Sequence, residues 1–390
     1  MKVAVVHEWL VVEAGAEKVL EEILTLFPDA DLFCLIDFLP PDQRAFIGHR
    51  TTKTSFIQRL PGARNNYRYY LPLMPLAVEQ FDLGGYDLVI SCNYAVAKGA
   101  ITGPDQLHIS YVHSPIRYAW DLQFQYLKQA GLETGLKSWL VRWCLHKLRI
   151  WDHRTAPGVD HYIANSDFIA RRIKKVYGRE AVTIHPPVDT DFFTPAADRE
   201  EVGDFYLTVS RLVPYKRIDI IVQAFADTPH RRLVVIGDGP ERNRLLQLAR
   251  NSSNIEIKGH LDRKAVRDHM RRARAFIFAA EEDFGIVPLE AQACGTPVIA
   301  YGKGGVLETI RGRQSRKEEK EGDSPKPATG IFFQNQTAAD LKKAILDFEE
   351  NEKAFTTRAC RENALRFKVS SFRRKLSDFI ERCLQKQGEK

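Results

Sequence analysis

At 390 residues, with 44% hydrophobic and 27% charged side chains and no low-complexity block, the chain is long enough for two ordinary globular domains. No apolar run approaches the ~20 residues needed to span a bilayer. The six cysteines are scattered, with no CxxC pair and no histidine cluster at zinc spacing, so they read as reduced thiols rather than a disulfide framework or a metal site.

The net charge of +7 fits an anionic partner without identifying it. No recognised nucleic-acid module or long basic run accompanies it, and nucleotide-linked substrates or an anionic membrane surface fit the charge equally well. Met1-Lys2 leads straight into the apolar Val3-Ala4-Val5-Val6, a core strand rather than a signal peptide, which predicts a cytoplasmic protein.

In chain order, Val3–Val6 predicts a strand and Glu17–Leu26 a helix with Val19, Leu20, Ile23 and Leu24 on one side. Asp87–Ser91, His108–Val112 and Tyr162–Ala164 predict further strands. Pro186-Pro187-Val188-Asp189 with Phe193-Thr194-Pro195 cannot continue a helix and reads as an interdomain connector. The pattern then restarts with strands at Phe205–Val209, Arg232–Ile236, Ile255–Ile257, Phe276–Ala279 and Pro297–Ala300, separated by helices such as Ile218–Phe225 and Pro240–Arg250. Alternating strand and helix predicts an α/β protein with two doubly wound parallel sheets in tandem. Arg311 to Pro327 is polar, charge-dense and poor in anything to bury, which predicts a mobile surface loop. From about Phe367, helical periodicity returns through Phe372, Leu376, Phe379 and Ile380.

Doubly wound sheets bind ligands beyond the carboxyl ends of their strands. After the first strand come His7-Glu8-Trp9 and a helix opening at Gly15, where a phosphate or sugar could approach or where the chain simply turns. His113 ends a central strand, either as a structural histidine or as one reaching into a cleft. Asp189-Thr190-Asp191 has the form of a metal-holding pair, but its place in the proline-rich connector argues against a metal. Arg211 follows the strand Phe205–Val209 and Lys216 opens the next helix. They are two solvated cations or a forked and a compact clamp on a diphosphate. Gly237-Asp238-Gly239-Pro240 is a glycine turn compatible with a nucleotide, without the nicotinamide fingerprint. The segment Glu282-Asp283-Phe284-Gly285-Ile286-Val287-Pro288-Leu289-Glu290 carries two carboxylates around a glycine turn at a helix start. It reads as an acidic loop before a helix favoured by its dipole, or as two hydroxyl acceptors flanking a phosphate on free amides.

Taken together, these residues resemble the family 4 retaining glycosyltransferases over almost the whole chain. The carriers are Glu282…Glu290 with Phe284-Gly285 and Gly295-Thr296-Pro297-Val298, Ser210-Arg211-Leu212…Lys216-Arg217, Gly237-Asp238-Gly239-Pro240, Ile163-Ala164-Asn165-Ser166 and Pro186-Pro187-Val188-Asp189. Tyr111-Val112-His113-Ser114-Pro115 with Arg117-Tyr118 and Trp120-Asp121, and Tyr301-Gly302-Lys303-Gly304-Gly305 with Glu308, are similar to the branch that uses GDP-mannose in O-antigen, capsule or exopolysaccharide assembly.

The resemblance implies a GT-B fold, two Rossmann-like domains facing a central cleft. Residues 1–185 would form the acceptor-side domain, 186–368 the nucleotide-sugar domain, and the tail from 369 would pack back on the first. Arg211 and Lys216 would hold the donor diphosphate, and Glu282 the donor sugar with backbone amides around Phe284, Gly285, Ile286 and Val287. Glu290 would hold the ribose and His113 the sugar near its 6-hydroxyl. Gly15, Gly237 and Asp238 would line the donor site. Ala14-Gly15 departs from the family's frequent glycine pair, which weakens the phosphate role of that loop.

The implied reaction is sugar transfer with retention, needing no metal or other cofactor beyond the nucleotide-sugar substrate. The acceptor would be a glycan or lipid-linked saccharide. Arg64–Met74 and Leu136–Trp151 interleave basic and aromatic residues, and each could lie on an anionic bilayer or bury its aromatics in the core; for the second, burial is the expectation. A nucleotide-sugar epimerase of the same fold and a non-catalytic nucleotide-sugar-binding subunit are the rival readings.

Overall fold

The computed structural model describes residues 1–12, 15–196, 203–314 and 327–388. Two seven-stranded sheets form, and every pairing in them is parallel among the described residues. The first contains β1 (Val3–Leu10), β2 (Asp31–Asp37), β3 (Thr52–Thr54), β4 (Leu88–Asn93), β5 (Leu107–Val112), β6 (His161–Ala164) and β7 (Ala181–Thr183), in the spatial order β3-β2-β1-β4-β5-β6-β7. The second contains β8 (Phe205–Val209), β9 (Arg232–Ile236), β10 (Ile255–Gly259), β11 (Ala275–Phe278), β12 (Val298–Tyr301), β13 (Gly312–Gln314) and β14 (Gly330–Phe333), ordered β10-β9-β8-β11-β12-β14-β13. Strand order reverses beside β1 and again beside β8, the places where such sheets take ligands.

The strands are apolar on both faces because core packs on both. In β1, Val3, Val5 and Leu10 join one core and Ala4 and Val6 the other. In β11, Ala275 and Ile277 point one way and Phe276 and Phe278 the other. The contacts divide the chain into Met1–Pro187 with the segment from Ser370 onward, and Val188–Val369. Thus the last helix, Val369–Gly388, belongs with the first sheet. Its Phe372, Leu376, Phe379 and Ile380 share a core with Val3, Val5 and the Gly15–Leu26 helix, and Arg373 pairs with Glu22.

Two expectations change. β1 does not stop at Val6: it is paired on both sides through His7 and continues along β2 to Leu10, so His7 and Glu8 are fully buried strand residues. The ladder recruits part of the supposed loop at Arg311–Pro327, because Gly312–Gln314 pairs in register with β14; residues 315–326 lie outside the described residues. Among the described residues no helix is long and apolar enough to cross a membrane.

Candidate functional site

In the second unit, four strand ends converge. The loop after β8 packs on the turn after β9, with Leu212 N–H donating to the Asp238 carbonyl at 2.9 Å. Gly237, at φ 140°, has no room for a side chain, since a Cβ would stand 1.8 Å from the Ser210 carbonyl oxygen. The glycine turn expected to admit a nucleotide is therefore also what seats the Arg211 loop. Arg211 is exposed, and among the described residues no carboxylate pairs with it. Arg217, in contrast, is tied down by Asp219 at 3.2 Å and Gln336 at 3.0 Å.

Lys216 reaches the end of β11 and forms an ion pair with Glu282, both side chains 16% exposed. The Glu282 backbone is fixed in turn by the segment after β12: Glu282 and Gly304 form a bridge, and the Gly305 N–H donates to the Glu282 carbonyl at 2.8 Å. A Cβ on Gly304, at φ 85°, would come 2.4 Å from that carbonyl oxygen. Beside this pair runs a second, Lys303 to Glu281 at 3.1 Å. Gly285 then takes the left-handed conformation and the helix Ile286–Ala293 starts without a side-chain cap. With Pro288 contributing no donor, the N–H groups of Ile286, Val287 and Leu289 form its first turn, a place that favours an anion. Phe284 turns its ring inward against Phe367, 5.7 Å between centroids, so its backbone is what it offers a ligand. Glu290 sits half-buried one turn further along.

In the first unit the polar strand ends close on one another. Glu8 is wholly buried, and its carboxylate accepts N–H bonds from Tyr94, Ala95, Val96 and Ala97 at 2.7–3.1 Å. Burial raises its pKa above the usual carboxylate value, and the four amides oppose that rise. His7 Nε2 lies 3.3 Å from Glu17 Oε1, joining the helix that Gly15 opens to β1. The rings of His7, Tyr94 and His113 follow in series at 5.8 and 6.0 Å.

His113 is held by its backbone, its N–H donating to Asn93 O at 2.8 Å and its carbonyl accepting from Asn165 Nδ2 at 2.9 Å. Its Nε2 and the Nδ1 of His7 are shielded from solvent with no hydrogen-bond partner among the described residues. Burial, helped by nearby His7, pushes the His113 imidazole down to about 3, so it is neutral at physiological pH. Deeper still, Lys98 and Asp152 pair at 2.9 Å with both side chains fully buried, and Trp120 Nε1 and the Tyr177 hydroxyl also donate to Asp152.

The structure thus gathers Arg211, Lys216, Gly237, Asp238, Glu282, Gly285, Ile286 and Val287 at one end of the second sheet, and Gly15 and His113 at the corresponding end of the first. The Glu13-Ala14 step lies outside the described residues. Asp189 of the DxD sequence is engaged elsewhere, by Arg263 at 2.9 Å and the Phe192 N–H at 3.1 Å. Tyr94 carries no signal in the sequence, whereas His7 and Gly304 stand out there only within the segments His7-Glu8-Trp9 and Tyr301-Gly302-Lys303-Gly304-Gly305, without roles of their own. The Lys216–Glu282 pair also escaped sequence reading, since the partners come from distant segments.

The pattern described as Glycosyltransferase Family 4 matches residues 15–192, and that described as Glycosyl transferases group 1 matches residues 190–367. The chain belongs to glycosyltransferase family 4. It is 31% identical over 208 residues to a GDP-mannose-dependent monoacylated alpha-(1-6)-phosphatidylinositol monomannoside mannosyltransferase of Corynebacterium glutamicum, covering 47% of this chain and 51% of that protein. It is 30% identical over 230 residues to D-inositol 3-phosphate glycosyltransferase 2 of Catenulispora acidiphila, covering 52% and 53%. The chain spans about half the length of these curated relatives.

Two solved structures share the fold. Sucrose-phosphate synthase from Thermosynechococcus elongatus aligns with a TM-score of 0.74 and 19% identity over 99% of this chain and 100% of that one. Anabaena HepE in complex with UDP and glucose aligns with a TM-score of 0.68 and 18% identity over 97% and 99%. The fold is GT-B, with two Rossmann-like domains.

Proposed function

We propose that this family 4 member is a retaining hexosyltransferase that moves mannose from GDP-mannose to a glycan or lipid-linked saccharide in surface polysaccharide assembly, on the cytoplasmic side of the membrane. One observation carries the proposal: an exposed Arg211, with no carboxylate partner among the described residues, in the same loop as Lys216 of the Lys216–Glu282 pair, which precedes an uncapped helix start. A cation without a carboxylate is what a diphosphate requires, and a lysine already paired with a carboxylate can touch phosphate and sugar at once.

In this reading Arg211 and Lys216 bind the diphosphate and stabilise it as it departs, while the amides of Ile286 and Val287 add fixed dipoles. Glu282 accepts from the donor sugar's hydroxyls and Glu290 from the ribose. As the anomeric C–O bond breaks, the electron pair stays on the diphosphate. The acceptor hydroxyl then attacks the oxocarbenium-like sugar from the same face, and its proton passes to the departing phosphate oxygen. His113, neutral and short of one hydrogen bond, is suited to orient a sugar hydroxyl rather than to carry charge. GDP-mannose is supported by the Tyr111–Tyr118 and Tyr301–Glu308 segments and by the name of the Corynebacterium relative.

Thermal-shift measurements against GDP-, UDP- and ADP-sugars test the donor, because a ligand of the folded state raises apparent stability. GDP-mannose should stabilise most; stabilisation by UDP-sugars alone overturns the donor. Product that forms from GDP-mannose without any acceptor would point to the epimerase reading, and binding without turnover to the non-catalytic one.

A further inference from the structure

The helix Leu136–Arg154 is turned inside out for a water-facing element. Its N-terminal half buries little beyond Ser138, while Leu136, Trp139, Leu140 and Trp143, spaced to share one face, are 82%, 65%, 54% and 48% exposed. Ile150 continues the face. Singly exposed apolar residues are ordinary, but a contiguous row with two tryptophans marks a contact surface. An apolar cavity of about 290 Å³ opens beside it, lined by Leu71, Pro72, Pro75 and Leu148 together with Trp143 and Lys147.

The charge pattern selects the occupant. Across the helix the one acid is Asp152, which is buried against Lys98. Lys137 and Lys147 are exposed and make no ion pair among the described residues, and Lys147 lies 5.6 Å over the Trp143 ring. Arg142 stands 5.6 Å from the ring of Phe124, itself 70% exposed. A second copy docked face to face would set these cations against each other. An anionic lipid leaflet neutralises them, takes tryptophans at headgroup depth and offers acyl chains to the recess.

We propose that the outer face of Leu136–Arg154 is a docking surface for an anionic bilayer leaflet, entered by Trp139 and Trp143 and held by Lys137 and Lys147. The surface lies wholly in the first unit and is independent of the donor assignment.

Full-length protein should co-sediment with phosphatidylcholine vesicles containing phosphatidylglycerol about tenfold or more better than with phosphatidylcholine alone, with a blue shift in tryptophan emission. Lys137→Glu/Lys147→Glu and Trp139→Glu/Trp143→Glu should each weaken binding by about tenfold or more. The four positions are largely exposed, so circular dichroism melting should match the wild type. Equal binding to neutral and anionic vesicles, or no binding by the folded protein, overturns the proposal. A dimer in sedimentation velocity that the tryptophan variant dissolves does so too, by assigning the face to a second copy. Vesicle binding is read without turnover, so it stands or falls separately from the reaction.

Discussion

The two sheets share a strand order through their first five members, yet they treat charge in opposite ways. At the strand ends of the first, Glu8 is wrapped by four amides, His7 leans on Glu17, and Lys98 is buried against Asp152. At the strand ends of the second, Arg211 is exposed and unpaired among the described residues, and the Lys216–Glu282 pair stays partly open. The same scaffold therefore spends polar groups on internal rigidity in one unit and on an anion-ready surface in the other. Closed networks are expensive to break but do little for a ligand; an open cation is nearly irrelevant to stability and decisive for a polyanion.

Four measurements sharpen or break that contrast. The largest effect should come from Lys98→Met, which leaves Asp152 buried and uncompensated and should destabilise the first unit by about 3–5 kcal/mol. All five tryptophans lie before Pro187, so their emission in urea reports that unit alone. An unchanged midpoint would mean that the closed network contributes no rigidity. Next, Arg211→Ala should lower kcat about 10²–10³-fold while leaving the tryptophan transition in place. Full activity would remove the second unit from the chemistry.

Third is pH. The His113 and His108 imidazoles are held down to about 3 and about 4, chiefly by burial, whereas the unfolded chain protonates them near the usual ~6.5. The folded state then binds fewer protons, so stability is full above ~6.5 and falls as pH drops, by up to ~1.4 kcal/mol per pH unit for each. A urea midpoint that is flat from neutral to about pH 5 would contradict this burial. The smallest effect is Glu282→Gln, about tenfold on turnover, since an amide accepts more weakly than a carboxylate. A rise in activity would recast the Lys216–Glu282 pair as a brake.

Most strands with two buried faces were legible from sequence, because unbroken apolar runs such as Phe205–Val209 and Arg232–Ile236 leave few alternatives, but the interior strands Asp31–Asp37 and Gly330–Phe333 were not anticipated. Of the edge strands among the described residues, Ile255–Gly259 was legible and the other three were not. Thr52–Thr54, Ala181–Thr183 and Gly312–Gln314 owe their conformation to the neighbour they pair with and carry no pattern of their own. At the site, residue types and strand-end positions pointed to Arg211, Lys216 and Glu282, while their pairing depends on how distant loops pack through Gly237 and Gly304. The outward face of Leu136–Arg154 ran against expectation for a related reason. A basic and aromatic helix looks alike whether its tryptophans are buried or bare, and only the packing of its second half decides.

The return of Val369–Gly388 to the first core also bears on how the protein is made. A ribosome delivers Phe372, Leu376, Phe379 and Ile380 only after every residue of the second unit has emerged. The half synthesised first is thus the half completed last: its sheet must wait with one flank bare while the later unit closes. For that interval the nascent chain presents Val3, Val5 and their neighbours to whatever chaperone meets it, and the helix that ends the exposure is translated only after the whole second unit.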